Sequence, residues 1–445
     1  MPKTIKRISE SKLISDQNRY DEILPSYLSI IKKLEQKYKT NNQPFFASLV
    51  NFHSNLDAPK HNWFEYKQGY SEQLVRHILS KNKISKTSYV LDPFTGVGTT
   101  NVVAQEMGLK SIGFDINPVA SFVSKIKTEY FSPAQQIEIE KFIKGFKPKK
   151  ISKKVPVSTL LDKSFPKDVF DKLMYVKGYY ESISDPLIQS FFKIAYLSII
   201  EDSSLRVKDG NGIKISLNKK NIPDVYTYFV SKSFAMLDDI KKANFTTEAN
   251  VIHGSLLKDA DFKKIKNKKI GIVIFSPPYA NCFDYCEVYK LEFWMGDFVS
   301  SYDDFKQYRE VALRSHVNSK FDHSIKNINK KVEVISSLLS CFNLWNKNIP
   351  DMIKGYFDDM TEMLRNLYLV MESGSKCYIV VANSGYKGVL VPTDLLLADI
   401  GEKIGFSFEE LIFARKIRAS SQQNGDLHSE YNNLMRETII VLKKT

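Results

Sequence analysis

The stretch Leu91-Asp92-Pro93-Phe94-Thr95-Gly96-Val97-Gly98-Thr99-Thr100 decides the fold class. Ser88 to Leu91 reads as a buried strand, Gly96 and Gly98 as a tight turn, and Thr99 to Met107 as a helix that Gly108 ends. Ser111 to Ile116 reads as a second strand. Strand, glycine turn, helix and strand make half of a doubly wound α/β fold. The expectation is a Rossmann-like sheet with helices on both faces, plus mainly helical insertions.

The turn is built for a ligand. Glycines at 96 and 98 permit positive φ and leave room beside the backbone, and the helix start adds oriented N–H groups. Asp115 ends the second strand at about the 20-residue remove that suits an acid holding ribose hydroxyls. No Gly-Lys-Ser/Thr follows, so the turn is not a P-loop, and Asn101 stands where a dinucleotide fingerprint wants a third Gly. Asp92 would repel a pyrophosphate but suits the amino end of a zwitterionic cofactor.

Outward from this core, residues 20–40 read as an amphipathic helix carrying Ile23, Leu24, Leu28, Ile31 and Leu34 on one face. A loop with Trp63, Phe64 and Tyr66 follows, then a helix over Ser71 to Leu79 with Ser71 as its cap. Residues 132–249 interrupt the α/β pattern with a basic run (Lys147 to Lys154), helices near 187–201 and 224–243, and a basic hairpin over Arg206 to Asn221. The pattern resumes with short strands at Val251 to His253 and Gly271 to Phe275. Residues 297–350 form a second, polar insertion. Asp351 to Met371 is a long helix that Ser373-Gly374-Ser375 breaks, Lys376 to Ala382 a strand, and Phe406 to Phe413 with Glu437 to Leu442 a closing pair.

The organisation expected is thus an N-terminal helical segment (1–84) closing the cofactor pocket, a cofactor half (85–131) and a first insertion (132–249). A catalytic half (250–296), the second insertion (297–350) and the remainder of the core (351–445) follow.

The second decisive motif is Ile274-Phe275-Ser276-Pro277-Pro278-Tyr279. It follows an apolar strand, so it sits at the carboxyl edge of the sheet, where open α/β sheets bind ligands. Two prolines stiffen it and remove two backbone donors. What remains are carbonyl oxygens and the Ser276 hydroxyl, acceptors for the two hydrogens of an amino group. Such acceptors localise the lone pair of an exocyclic amine, which is otherwise delocalised into its ring. Tyr279 offers a face for an extruded base, and Tyr279 or Phe94 a cation–π contact.

Together these motifs resemble those of amino-group DNA methyltransferases. The first is similar to the family's cofactor motif and the second to its catalytic loop. Trp63 to Val75 resembles the segment that helps close the pocket, and Gly374 to Ser384 a later buried strand of the same fold. The resemblance implies S-adenosylmethionine as cofactor. It assigns Ser276, Pro277, Pro278 and Tyr279 to catalysis, and Asp92, Pro93, Phe94, Gly96, Gly98, Thr99, Thr100, Asp115, Ile116, Ser255, Trp63 and Tyr66 to cofactor binding. Ser at the first loop position resembles the cytosine-N4 branch, whereas the adenine-N6 branch usually has Asp or Asn there. Two features depart from the pattern. The catalytic loop follows the cofactor motif, an order more familiar among adenine-N6 enzymes. And His253-Gly254-Ser255 offers no acid where the family often has one, leaving Ser255 or Asp259 to serve the adenine.

The reading is therefore a cytosine-N4 methyltransferase acting on a flipped-out base of double-stranded DNA in a restriction-modification or related defence system. A cognate restriction endonuclease would be its companion. Adenine-N6 methylation is the alternative; an RNA methyltransferase or a non-catalytic nucleic-acid-binding relic stands further off. Transfer to cytosine C5 is excluded, because that chemistry needs a Cys after a Pro and no Pro-Cys pair occurs.

Composition agrees. Of 445 residues, 64 are basic and 50 acidic, a net charge of +14 that suits a polyanion, although a Lys-rich surface can also merely solvate. Arg206, Lys208, Lys214, Lys219 and Lys220 on or beside the hairpin are the first candidates to contact DNA; Arg415 and Arg418 are candidates for phosphate, and Arg309, Arg314 and His316 belong to the second insertion. The four cysteines lack zinc spacing and read as free thiols of a cytoplasmic protein. No signal peptide, membrane span or metal site is expected.

Overall fold

The computed structural model describes residues 16–150, 158–210, 212–216, 219, 223–243, 247–319, 325–417 and 433–445. The end of the basic run (151–154), Lys220 and Arg418 lie outside them. In chain order the strands are β1 (Thr40–Asn42), β2 (Tyr89–Asp92), β3 (Lys110–Asp115), β4 (Arg206–Asp209), β5 (Gly212–Ile215), β6 (Ala249–His253), β7 (Ile270–Phe275), β8 (Met371–Ala382), β9 (Ser384–Tyr386), β10 (Val389–Val391), β11 (Phe406–Lys416) and β12 (Arg436–Lys444).

The chain divides into two compact units. One holds Ser48–Ser276 with Asp284–Val311; the other holds the described residues through Ala47, Pro277–Phe283 and Ala312–Thr445. The division falls inside the expected 1–84 segment, whose helix Gln17–Lys37 belongs to the second unit.

In the first unit four parallel strands run in the order β7-β2-β3-β6. All of β2 and nearly all of β7 is buried, as expected of short apolar strands covered on both faces. The chain steps outward from β2 to β3 to β6, then returns to lie on the other side of β2. That reversal makes the carboxyl ends of β2 and β7 the switch point of the sheet, the position where open α/β sheets bind ligands. Helices Thr99–Glu106 and Pro118–Lys127 lead out of β2 and β3. The second starts on Asn117, whose side chain accepts from Val119 N and Ala120 N, with Pro118 at the first turn.

The insertion between β3 and β6 belongs to this unit. Its helices Pro133–Lys144, Lys167–Glu181, Pro186–Ser198 and Val225–Lys242 share an aromatic core of Phe142, Phe146, Tyr179, Phe192 and Phe229. Strands β4 and β5 form the expected hairpin, turning at Gly210 with φ of 55°.

The second unit carries strands in the order β1-β11-β12-β8, with β11, β12 and β8 antiparallel and β1 parallel to β11. The long helix Ile349–Val370 passes directly into β8. Met371 already has extended φ and ψ, so the helix stops before Ser373-Gly374-Ser375, and Gly374 sits inside the strand with φ of 80°. That differs from the turn expected there.

Candidate active site

At the end of β2 the Asp92 carboxylate is 2% exposed. It accepts from Tyr70 Oη at 2.7 Å and from Phe94 N at 3.0 Å. Tyr70 Oη also lies 2.6 Å from Thr100 Oγ1, which fixes the start of the following helix. Gly96 has φ of 52° and Gly98 of 87°, a region L-residues rarely adopt. Both are also crowded: a Cβ on Gly96 would lie 2.9 Å from the Tyr66 ring, and one on Gly98 would collide with Ser124.

Asp115 ends β3. Its Oδ2 accepts from Gly96 N at 2.9 Å and its Oδ1 from Asn117 N at 2.8 Å. The glycine turn is thus tied directly to the acid. Neither Asp92 nor Asp115 pairs with a basic side chain among the described residues. Burial pushes Asp92 up to about 7 and Asp115 up to about 6, more than their hydrogen bonds pull them down.

Aromatic rings line the same turn. Phe94 stacks on Phe275 at 5.8 Å, spanning the ends of β2 and β7. Tyr66 stacks on Tyr289 at 5.2 Å with 13° between planes. Burial raises the Tyr66 hydroxyl well above its ordinary pKa, and the negative charges of Asp115 and Asp92 add to that.

The sequence-selected residues Asp92, Phe94, Gly96, Gly98, Thr100, Asp115 and Tyr66 therefore converge on one turn, with buried Pro93 and Thr99 within it. Ile116 follows at the rim, where its carbonyl contacts His253 Nε2 at 3.0 Å. Ser255 is buried; its hydroxyl accepts from Leu257 N and its N–H donates to Asp261 Oδ2. Trp63 makes contacts with the insertion. It is 0% exposed, packs on Phe191 of the insertion and donates to Asp239 at 2.9 Å.

Ser276 follows β7 immediately and is half-buried. Because β2 and β7 are paired neighbours, Leu91 against Val273, the Ser276 end of the loop emerges beside the strand that ends in Asp92. Pro277, Pro278 and Tyr279 belong to the other unit. There the Tyr279 hydroxyl donates to Glu437 Oε1 at 2.6 Å, and Arg415 Nε donates to Glu437 Oε2 at 2.5 Å. The loop's continuation is held by Tyr386, which donates to Ala280 O at 2.7 Å, and by Cys282 N, which donates to Ser315 O at 3.1 Å.

The basic candidates divide sharply. Lys214 is exposed and pairs with the likewise exposed Asp209 at 2.8 Å. Arg206 donates to Ser164 Oγ, and Lys219 donates to the carbonyls of Glu201 and Arg206. Lys208 is 5% exposed between Glu201 and Glu292. Arg309 pairs with Asp284 and Glu287, Arg314 with Asp358 and Asp359, and His316 is buried. Lys208, Arg309 and Arg314 thus neutralise carboxylates within the fold.

Residues 6–124 match the family described as DNA methylase, of the N6/N4 type. The chain carries an amino-group DNA methylase domain. Similarity to Type II methyltransferases extends well beyond that domain. The chain is 26% identical to M.BsoBI of Geobacillus stearothermophilus over 93% of its own length and 91% of that protein. It is 24% identical to M.AvaI of Nostoc sp. (93% of each) and 22% identical to M.MvaI of Kocuria varians (93% and 96%).

A DNA methylase domain of this family takes S-adenosylmethionine as methyl donor, and the residues present fit it. A buried acid, Asp92, and a half-buried one, Asp115, without a basic partner among the described residues are costly unless a cation approaches. This cofactor brings a sulfonium and an ammonium. The positive-φ glycine turn, the acid ending β3 and the aromatic faces of Phe94 and Tyr66 supply the remaining chemistry for a nucleoside with a cationic arm.

Tyr70, Asn101 and Tyr289 around the turn, and in the other unit Glu437 beside Tyr279, carried no sequence signal strong enough to single them out. Asn101, at the place of the missing third glycine, accepts from Thr95 Oγ1 at 2.5 Å and donates to Ser111 Oγ at 3.1 Å, latching the turn to β3. Tyr70 does lie inside the Trp63 to Val75 segment. Glu437 is 158 residues from the tyrosine it holds.

Proposed function

We propose that this protein is a Type II DNA methyltransferase that transfers the methyl group of S-adenosylmethionine to the exocyclic N4 amine of a cytosine flipped out of duplex DNA. The observation that carries the proposal is that Asp92 and Ser276 follow from adjacent parallel strands, at the point where strand order reverses.

In this reading Asp115 holds the ribose hydroxyls and Asp92, braced by Tyr70, faces the amino-acid end. Gly96 and Gly98 admit the ligand close to the backbone, Phe94 and Tyr66 present π faces to the positive charge, and Ile116 with Ser255 borders the adenine. When bound, the cofactor supplies an electrophilic methyl group. The protein's part is to orient the amine. Ser276 Oγ and the carbonyls of the proline-stiffened loop accept its hydrogens, directing the nitrogen lone pair along the line of transfer. Tyr279, with its hydroxyl fixed by Glu437, presents its ring for stacking. Lys214 on the hairpin and further basic side chains contact the DNA, and a restriction endonuclease of the same specificity is the expected companion.

Adenine N6 is the second reading, favoured by one observation: the cofactor motif precedes the catalytic loop. Mass spectrometry of nucleosides from unmethylated genomic DNA, incubated with protein and labelled cofactor, separates the two. Labelled N4-methylcytosine supports the Ser276 argument. Labelled N6-methyladenine keeps the enzyme and overturns the base. No labelled DNA base sinks both.

A further inference from the structure

The β4–β5 hairpin sends one lysine inward. Lys208 Nζ lies 2.7 Å from Glu292 Oε1 and 3.0 Å from Glu201 Oε2. It sits 4.2 Å from the ring centroid of Tyr289 and 5.6 Å from that of Phe64. Burial works against the ammonium charge, but the two glutamates more than offset it and leave the lysine pKa above its ordinary value. Glu292 Oε2 is buried without a hydrogen-bond partner.

The face of Tyr289 leads on to the cofactor turn. Its ring stacks on Tyr66, its hydroxyl donates to Gln68 Oε1 at 2.6 Å, and Tyr66 in turn covers Gly96 so closely that a Cβ there would strike the ring. A continuous column therefore runs from Lys208 through Tyr289 and Tyr66 to Gly96, and all of it lies within one unit. A buried ion cluster of this kind contributes little net stability compared with apolar packing. What it does provide is a cation at a fixed point against one aromatic ring.

We propose that Lys208 is a positioning residue of the cofactor pocket: it holds Tyr289, and through it Tyr66, against the Gly96 turn, so that the hairpin sets the affinity for S-adenosylmethionine. The inference rests on the methyltransferase reading above. It makes the hairpin part of the cofactor site, with Lys208 withdrawn from DNA.

Calorimetric titration of the full-length protein with S-adenosylmethionine tests it. Lys208→Met should raise the dissociation constant about tenfold, and Lys208→Arg should recover most of that loss by restoring a cation beside the ring. Tyr289→Leu should cost about as much. The double variant should lose no more than the worse single one, because both act through the same wall. With saturating DNA, KM for the cofactor should rise while kcat stays within about twofold, a split that general destabilisation does not produce. If Lys208→Met does not fold, Tyr289→Leu and Glu292→Gln give the same reading, and wild-type affinity in both overturns the proposal. Wild-type affinity in a folded Lys208→Met overturns it too, as does full additivity in the double variant. A wild-type protein that binds no S-adenosylmethionine sinks the methyltransferase reading and this inference together. One that binds normally, with unaffected variants, sinks this inference alone.

Discussion

The Tyr279 hydroxyl donates to Glu437 Oε1, and the other oxygen of that carboxylate accepts from Arg415. A ring proposed to stack on the target base is thereby held at its polar end by β12, a strand remote in sequence. Tyr279→Phe keeps the face and loses the tether, so kcat/KM should fall about tenfold, in line with a hydrogen bond to a charged group. Tyr279→Ala also loses the stacking surface and should cost up to about a hundredfold more. Steady-state methylation of a defined duplex separates the two. Equal rates for Tyr279→Phe and wild type would show that the Glu437 contact does not matter for turnover.

Ser276 offers a second test at the other end of the same loop. Its hydroxyl is assigned to the amine, and the cofactor turn is built from Asp92, Gly96 and Asp115. Ser276→Ala should lower kcat by about tenfold to a hundredfold, the scale of losing one oriented polar contact in a transition state. Its cofactor dissociation constant should stay within about twofold of wild type. A large loss of cofactor binding in that variant would move Ser276 from the amine to the cofactor.

Much of this site was legible in the sequence, for local reasons. A glycine turn between a buried strand and a helix can be read within ten residues, and the Asp92 to Asp115 spacing repeats the length of one strand-helix-strand unit. Ser276 was legible because an apolar strand points its following loop at the sheet edge. Side chains whose role depends on a distant partner were not legible. Lys208 looks like any hairpin lysine until Glu201 and Glu292 close around it. The sequence reads Trp63 as a pocket ring without showing that its indole also donates to Asp239 and packs on Phe191, residues far along the chain. Charge type alone cannot tell a lysine spent inside the fold from one offered to phosphate.

The Asp115 carboxylate is proposed to hold the ribose, and its present partners are the N–H groups of Gly96 and Asn117. Asp115→Ala should raise the cofactor dissociation constant by about tenfold to a hundredfold, as expected for losing a charged acceptor of two hydroxyls. Calorimetry reads this directly. Unchanged affinity would relocate the ribose contact.

Duplex binding should be strongly salt-dependent if the basic surface is used. Neutralising several phosphates gives a linear fall of log K with log salt, with a slope of about −0.9 per contact. Lys214→Ala should weaken binding and make that slope shallower by about one, because Lys214 is the exposed hairpin lysine. Fluorescence anisotropy on one duplex at several salt concentrations is sufficient. A flat response would mean that the excess of lysine only solvates the protein.

Asp92 and Asp115 place opposite pH demands on folding and on cofactor binding. Burial raises Asp92 to about 7 and Asp115 to about 6, above the unfolded value of about 3.9. Between about pH 4 and 7 the folded ligand-free protein holds more protons at these groups than the unfolded chain does. These two groups therefore make the fold more stable as pH falls through that window, and their ionisation costs most above about pH 7. A cationic ligand reverses the preference, since it needs both carboxylates ionised. Affinity for S-adenosylmethionine should thus decline as pH drops from about 8 through 7 and 6, while these groups' contribution to the melting temperature of the ligand-free protein rises. Asp92→Asn should flatten both trends, because its side chain no longer titrates. Melting curves and calorimetry at about pH 5.5 and 8, on wild type and variant, read both slopes. Parallel behaviour of the two proteins would assign the pH dependence to other groups.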